Sequence, residues 1–354
     1  MKGPNPASSF ILSADVLRNW TKGVFVHEGL SEEDAALVAD ALVRADLRGI
    51  ESHGVMRIPI YVKRLRLGLI NPRPSIQIIR EQAAVALVDG DNGMGQVVAT
   101  HAMREAIRRA NAYGIGVVAV RNSNHFGMAA YFAMQALPHG MIGLALSNAP
   151  ATMAPWGGSR PYLGTNPMAV AIPSQAEPPI ILDMAMSVVA RGKIILAAQQ
   201  GVPIPPGWAI NERGEPTTDP VQALAGAVLP FGGPKGYALA VIVEVLAGIL
   251  ANAAFGPHVG GLYGNFSSPQ RLGHFLAALN VRAFLPLDLF LERIDQLIRE
   301  IRAVPPTAEV DRVYLPGEPE WLTEQRRRRE GIPLPPEVVQ ELRVLADEIK
   351  LPLS

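Results

Sequence analysis

Short segments that are apolar throughout constrain the fold of this chain more than any other feature. Residues 96–113 and 126–137, which lie between the first three of them, have the spacing of helices. The apolar segments are residues 85–90, 116–120, 142–146, 168–173 and 180–183. Strands that are apolar on both faces are typical of a sheet with helices packed against both sides. The pattern predicts an α/β fold.

Both ends of the chain carry amphipathic helical patterns instead. Three of them lie near the start, at residues 13–28, 31–47 and 54–67, and two near the end, at residues 287–302 and 336–349. A length of 354 residues exceeds what one simple core holds. Because the two ends have a similar composition, we expect them to pack together as one lobe.

The predicted domain organisation follows from this division. Residues 1–80 with 285–354 form a discontinuous helical domain, and residues 81–284 form a sheet-based domain. Residues 313–319 are predicted as a strand and a tight turn.

Composition excludes several kinds of function. The chain has no cysteine, which removes disulfides, thiolate nucleophiles and cysteine-type metal sites, and no histidine pairing indicates another metal site. Lys+Arg and Asp+Glu both number 32, so no net positive charge recruits nucleic acid. The run Arg326–Arg329 is predicted as a solvated helix face. Residues 237–255 are apolar but contain Glu244, which favours a buried helix over a membrane span. Without a signal-peptide pattern, we expect a cytoplasmic location.

A cluster of polar residues at Ser52, His53, Arg57 and Tyr61 is the first candidate for chemistry. If the segment from Gly54 is helical, residues 53, 57 and 61 share one face. A histidine moves protons near neutral pH, and an arginine holds a carboxylate with two parallel hydrogen bonds. The cluster fits a small acidic substrate that gains or loses a proton. The same residues also fit a polar helix start with Ser52 as its cap.

Four loops beside the predicted strands are further candidates. They contain His125 after one strand, Thr165 with Asn166 before another, Asp183 at a strand end, and Lys235 after two glycines. Ligands gather at strand ends in open α/β sheets. Each loop also has a plain structural interpretation, as a turn or a helix cap. No G-x-G-x-x-G fingerprint follows a strand.

These motifs resemble those of the malate/L-lactate dehydrogenase family of non-Rossmann NAD(P)-dependent oxidoreductases. The matching stretches are SHGVMR (52–57), NSNHFG (122–127), APWGG (154–158), GTNPMAVAIPS (164–174), ILDMAMS (181–187), GGPKGY (232–237), LGHF (272–275) and LPGEP (315–319). They follow the family's order over almost the whole chain. Two departures are Met186, where the family usually has threonine, and Pro234, where it has histidine.

The resemblance implies a fold and partners that spacing alone does not give. It implies a non-Rossmann, mixed-sheet domain that binds NAD or NADP and the substrate, beside the helical domain. It also implies a homodimer, with a small 2-oxo or 2-hydroxy acid as the other partner.

The resemblance further implies roles for individual residues. His53 or His125 exchanges the proton, with His53 preferred because Ser52 and Arg57 accompany it. Arg57 holds the substrate carboxylate, Ser52 and Tyr61 add hydrogen bonds, and Asp183 contacts the cofactor or orients a histidine. The remaining expected cofactor contacts are Thr165, Asn166, Ile180, Ile181, Leu182, Met184, Ala185, Met186, Pro234, Lys235, Gly317, Glu318 and Pro319.

The predicted reaction interconverts a malate- or lactate-like 2-hydroxy acid and its 2-oxo acid. One alternative within the family is reduction of a cyclic imino acid or a diketo sugar acid. An alternative of another class is a small-molecule binding protein that keeps the fold without catalysis.

Overall fold

The computed structural model describes residues 10–353 of the chain. Its α-helices are α1 Ala14–His27, α2 Glu32–Leu47, α3 Ile58–Arg66, α4 Gly95–Tyr113, α5 Ala129–Ala133, α6 Arg191–Gln200, α7 Pro220–Ala225, α8 Pro234–Val243, α9 Leu287–Arg302, α10 Glu318–Glu330 and α11 Pro336–Glu348. Its strands are β1 Phe10–Leu12, β2 Gln77–Gln82, β3 Val85–Asp89, β4 Ile115–Ser123, β5 Met141–Ser147, β6 Met168–Ile172, β7 Ile180–Met184, β8 Ala209–Ile210, β9 Pro216–Thr217, β10 Ala227–Val228, β11 Leu272–Asn280 and β12 Ile332–Leu334.

The main sheet of the described chain has seven strands in the order β2-β3-β4-β11-β5-β6-β7. β3 and β4 run parallel, whereas the other neighbouring strands pair antiparallel. The late strand β11 lies between β4 and β5, which a doubly wound sheet built from successive βαβ units does not allow. The predicted α/β fold with a mixed, non-Rossmann sheet is confirmed.

Helices and loops cover both faces of this sheet. On one face Ala106 of α4 and Phe132 of α5 pack with Val120 and Leu276 from the strands. On the other face Leu146 of β5 joins a second core that includes Val243 of α8. Burial on both sides explains why these strands are apolar throughout.

Most of the C-terminal segment packs with the N-terminal helices. β12 pairs with β1, and residues of α11 share a core with α1, α2 and α3. Helix α9 differs, because the Asp295 carboxylate accepts hydrogen bonds from the backbone of residues 175–177, which follow β6. The expected packing therefore holds for α11 and β12 but not for α9. The exact division into two domains stays a prediction.

The helix predicted over residues 54–67 forms only from Ile58 to Arg66, as α3. Two 3-10 turns, Glu51–His53 and Val55–Arg57, precede α3, and Gly54 between them is extended. The buried Asp46 carboxylate accepts a 2.8 Å hydrogen bond from the Val55 amide. A Cβ at Gly54 would lie 1.9 Å from that carboxylate. Only glycine fits there, so the contact with Asp46 breaks the helical pattern.

Two predictions for the C-terminal segment are wrong. Residues 313–317 form no strand, and the helix α10 begins at Glu318, whose buried carboxylate accepts hydrogen bonds from Arg302 and Arg312. The arginine run lies on α10, but Arg327 is buried and pairs with Glu51 at 2.5 Å. The run is therefore only partly a solvated face.

Helix α8 and the π-helical turn Glu244–Ile249 form the apolar segment, which is less buried than predicted. Several large apolar side chains are 38–58% exposed, namely Leu239, Ile242, Val245, Ile249 and Leu250. No helix within residues 10–353 is long and apolar enough to cross a membrane.

Candidate active site

Two histidines from distant parts of the chain meet at one place. His53 lies in the 3-10 turn after α2, and His125 lies in the loop after β4. Their rings stack with centroids 5.6 Å apart and an angle of 25° between planes. Both candidates for proton transfer thus belong to a single site, although they are 72 positions apart in the sequence (125 − 53).

Tyr61 and Gln270 hold His125 in place through hydrogen bonds. The Tyr61 hydroxyl lies 2.6 Å from His125 Nδ1, and the backbone amide of His125 donates to Gln270 Oε1 at 3.0 Å. Tyr61 is 1% exposed, and Gln96 donates to its hydroxyl at 3.3 Å. The Tyr61 hydroxyl is thus bonded inside the protein, and its contact with substrate stays a prediction.

Burial keeps both histidines neutral at neutral pH. Burial, with a smaller effect of the nearby Arg57 charge, lowers the pKa of His53 to about 4. The pKa of His125 is well below its usual value for the same first cause, with Arg57, His53 and His274 adding to it. Removing a ring from water disfavours its charged form. The site therefore presents two neutral imidazoles and one fixed positive charge.

Arg57 supplies that positive charge. Its Nε donates to the Ser52 carbonyl at 2.7 Å, and its Nη1 donates to the Tyr263 hydroxyl. The Ser52 hydroxyl lies 2.9 Å from His53 Nδ1. With Nε and one N–H of Nη1 in use, the remaining N–H groups of the two terminal nitrogens are left for a carboxylate. Arg57 and Ser52 are thus placed beside His53, as the sequence predicted, but through the turns rather than through one helix face.

A loop before β11 closes the site on the Arg57 side. The loop, residues 260–270, contains Tyr263 and ends at Gln270. Arg64 of α3 is fully buried and donates to the carbonyls of Gly261, Leu262, Asn265 and Ser268. One buried guanidinium therefore fixes the loop that contacts both Arg57 and His125.

Asp183 caps a helix in this structure. Its Oδ2 accepts a 2.9 Å hydrogen bond from the Ala130 amide in the first turn of α5, and burial raises its pKa to about 6. Within residues 10–353 it makes no hydrogen bond to a histidine. The bond from Ala130 is the contact that the structure shows for this carboxylate, and its role toward the cofactor or a histidine stays a prediction.

His274 is a histidine that the sequence analysis did not single out as a candidate, and it has a structural role. It is fully buried on β11 and lies 2.8 Å from Ser147 Oγ and 2.7 Å from Ser123 Oγ. Its ring stacks on Phe126 at 4.6 Å, next to His125 in the sequence. By joining β4, β11 and β5 it fixes the start of the loop that carries His125.

The expected cofactor residues fall into two groups. Four have side chains buried inside the protein, and their cofactor contacts stay predictions as well: Asn166, Ile181, Met186 and Glu318. The rest are at least partly accessible, and their cofactor contacts stay predictions: Thr165, Ile180, Leu182, Met184, Ala185, Pro234, Lys235, Gly317 and Pro319. Asn166, for example, uses its amide on Ala149, Ala240 and Glu244.

Two of the predicted cofactor segments are in contact. The Ile181 amide donates to the Pro316 carbonyl at 2.9 Å, so the turn before α10 lies on the edge of the sheet at β7. Gly317 has a left-handed φ of 82°, and a Cβ there would lie 2.6 Å from the Ile181 oxygen. This close approach explains the glycine.

The region beyond β7 fits an anionic dinucleotide. Arg191 and Lys193 lie in the first turn of α6, and Lys235 lies in the first turn of α8, where helix dipoles add positive potential. The amides of Val188 and Phe231 donate to Leu229 and Met186, so the segments leading into both helices are adjacent. Lys193 and Lys235 are exposed. These cations could hold the pyrophosphate of NAD or NADP.

Comparison with known proteins identifies relatives over nearly the whole chain. The model of the family described as malate/L-lactate dehydrogenase matches residues 12–343. A malate dehydrogenase of Pyrococcus abyssi is 43% identical over 95% of this chain and 94% of its own. An L-sulfolactate dehydrogenase of Methanocaldococcus jannaschii is 42% identical over 91% of this chain and 92% of its own.

The fold agrees with the sequence relationship. The structure of malate dehydrogenase from Pyrococcus horikoshii OT3 aligns with a TM-score of 0.91, at 39% identity and 99% coverage of both chains. Two further relatives are a ureidoglycolate dehydrogenase (NAD(+)) of Escherichia coli and a (2R)-3-sulfolactate dehydrogenase (NADP(+)) of Chromohalobacter salexigens. The mixed sheet and the two stacked histidines beside an arginine agree with these matches. Because the matches cover nearly the whole chain, the chain belongs to the malate/L-lactate dehydrogenase family of NAD(P)-dependent oxidoreductases.

Proposed function

We propose that this enzyme interconverts a small 2-hydroxy acid of the malate, lactate or sulfolactate type and its 2-oxo acid, with NAD or NADP. One observation carries the proposal: Arg57 lies beside two stacked, neutral histidines. The guanidinium would hold the carboxylate, and a ring nitrogen would meet the oxygen on the next carbon. When bound, the nicotinamide supplies or accepts the hydride at that carbon.

The residues on the substrate side then have distinct tasks. Arg57 binds the carboxylate through its terminal nitrogens and so aligns the reacting carbon. The Ser52 hydroxyl fixes the His53 ring through Nδ1. Burial, and after it the Arg57 charge, lowers the pKa of His53. A bound carboxylate would offset that charge, raise the pKa of His53, and help the ring hold a proton for oxo-acid reduction.

The experiment that tests this function follows NADH and NADPH absorbance with a panel of acids. We expect oxidation with oxaloacetate, pyruvate or sulfopyruvate and little with a cyclic imino acid. Faster oxidation with the cyclic imine would favour the C=N reductase. Absence of oxidation with every compound, despite binding of NADH, would favour the non-catalytic binding protein.

The Arg57→Lys variant tests the carboxylate clamp. Lysine keeps the positive charge but cannot form two parallel hydrogen bonds. We expect KM for the oxo acid to rise by about tenfold or more, because a charge-assisted bond contributes roughly 1.5–3 kcal/mol. KM for the cofactor should stay near the wild-type value. Arg160→Lys, an exposed arginine that makes no hydrogen bond within residues 10–353, is the control. An unchanged KM for the oxo acid would exclude the clamp.

We also propose that the enzyme is a homodimer, in which the second copy covers an apolar surface formed by α8 and the π-helical turn after it. The surface comprises Leu239, Ile242, Val245, Ile249 and Leu250, and patches of this kind mark interaction sites. A second copy of the chain is the partner that the family resemblance implies. The cytoplasmic location stays a prediction.

Charge placed on this surface should dissociate the dimer. We expect the wild-type chain to sediment at twice its 37.9 kDa mass, and Ile242→Glu with Leu250→Glu to shift it towards the monomer. Val221→Glu changes a 65% exposed side chain on α7 and is the matched control. A wild-type monomer, or a double variant that stays dimeric, would contradict the proposed interface.

A further inference from the structure

A buried glutamine is linked to the histidine pair through hydrogen bonds. Gln96, in the first turn of α4, is fully buried, and its Nε2 lies 3.3 Å from the Tyr61 hydroxyl. The same hydroxyl lies 2.6 Å from His125 Nδ1. Gln96, Tyr61 and His125 therefore form a continuous chain of hydrogen bonds, and the proposed function so far assigns no role to Gln96.

The direction of these hydrogen bonds follows from the donors available. The amide nitrogen of Gln96 can only donate, so the Tyr61 oxygen accepts that bond. Burial raises the pKa of Tyr61 far above its usual value, so the phenol keeps its single hydrogen. That hydrogen is directed to His125 Nδ1, the other partner of the hydroxyl. His125 Nδ1 is therefore an acceptor and carries no proton.

The orientation of the Gln96 amide supports this direction. As placed, the amide leaves its oxygen, Oε1, as a buried atom without a hydrogen-bond partner. Turning the amide over would leave buried N–H groups at that position instead. Buried N–H groups without a partner are rarer in proteins than under-satisfied carbonyl oxygens. The observed orientation is the less costly one.

A neutral His125 without a proton on Nδ1 carries it on Nε2. Within residues 10–353 this Nε2 makes no hydrogen bond, so it is free to donate to a ligand. A neutral ring in this form cannot accept a proton at Nε2. It can polarise a carbonyl, or hold a hydroxyl oxygen, by donating a hydrogen bond.

We propose that Gln96 is a positioning residue that, through Tyr61, fixes His125 as the Nε2–H tautomer. In this form His125 donates a hydrogen bond to the reacting oxygen. The proton is transferred by His53. This assignment of separate roles to His125 and His53 rests on the proposed function. In hydroxy-acid oxidation the hydroxyl O–H bond breaks and its proton goes to the His53 ring. The hydride leaves the same carbon for NAD(P)+, and a C=O bond forms.

The first test reads the tautomer in the wild-type enzyme at neutral pH. The chain is labelled with ¹⁵N-histidine, and two-bond ¹H–¹⁵N correlations distinguish the Nε2–H from the Nδ1–H form. The His125 signals are those absent from the His125→Gln spectrum. We expect the Nε2–H form. An Nδ1–H or doubly protonated ring would overturn the proposal without any variant of Gln96.

The second test reverses the direction of the relay, which is the chain of hydrogen bonds from Gln96 through Tyr61 to His125. A Gln96→Glu carboxylate would accept the hydrogen of Tyr61, which would then accept from His125 Nδ1. We expect the Nδ1–H form and a kcat loss of about 10²–10³-fold, the cost of removing one such donor. Gln135 also donates through Nε2 to a hydroxyl at 3.3 Å, that of Thr100, so Gln135→Glu is the matched control. An unchanged His125 tautomer in a folded Gln96→Glu would contradict the relay.

The third test separates a hydrogen-bond donor from a proton carrier. Glutamine offers an N–H donor but cannot take up a proton. We expect His125→Gln to lose less than about 100-fold in kcat, and His53→Gln to lose about 10²–10⁴-fold and more than His125→Gln. The reverse order would overturn the assignment of roles. The tautomer measurement needs no turnover, so an inactive wild type with an Nε2–H His125 would refute the proposed function and leave the relay intact.

Discussion

The hydrogen bond between Tyr61 and His125 joins the two halves of this site. Tyr61 lies on α3 among the N-terminal helices, and His125 follows β4 of the main sheet. The bond brings His53 and Arg57 from one side to His125 on the other. Because α3 also carries Arg64, the same helix fixes the loop at residues 260–270. Substrate chemistry thus depends on how α3 packs on the sheet.

A second constraint acts on the turn that precedes α3. The Asp46 carboxylate occupies the space beside Gly54, and any Cβ there would collide with it. The chain is forced into two short turns, which leave Arg57 Nε bonded to the Ser52 carbonyl. The position of the proposed carboxylate clamp therefore depends on a buried acid that never contacts the site. Burial raises the pKa of Asp46 to about 8, and the hydrogen bond from the Val55 amide acts against that rise.

Much of the fold could be predicted because local patterns and long-range packing agree. α1, α2 and α4, and the strands β3 to β7, lie close to their predicted bounds. The prediction failed where a distant contact decides the local structure. The contact of Asp46 with Gly54 leaves the third helix to begin only at Ile58, and Arg302 with Arg312 hold Glu318 at the start of α10. Neither contact is visible in the periodicity of the chain.

The candidate site, too, could be predicted from the sequence only in part. His53, Arg57 and His125 could be named from their residue types, and the family resemblance supplied an order for the loops. Their mutual geometry could not be predicted, because it depends on β11 entering the sheet between β4 and β5. Gln96 and Tyr263 were not predicted, since a glutamine in the first turn of an amphipathic helix and a tyrosine in a polar loop carry no distinctive pattern. A buried polar residue on a core-facing helix is the one signal that could have indicated Gln96.

The central claim is that a neutral, half-buried His53 beside Arg57 takes the proton of the hydroxy acid. The most direct measurement is kcat/KM for hydroxy-acid oxidation against pH, which reports groups of the free enzyme. Burial and Arg57 lower the pKa of His53 to about 4, so the base stays unprotonated above that pH. The profile should be flat from about pH 8 to pH 5 and fall only as pH approaches 4. A fall centred near the ordinary histidine pKa of about 6.5 would contradict the account.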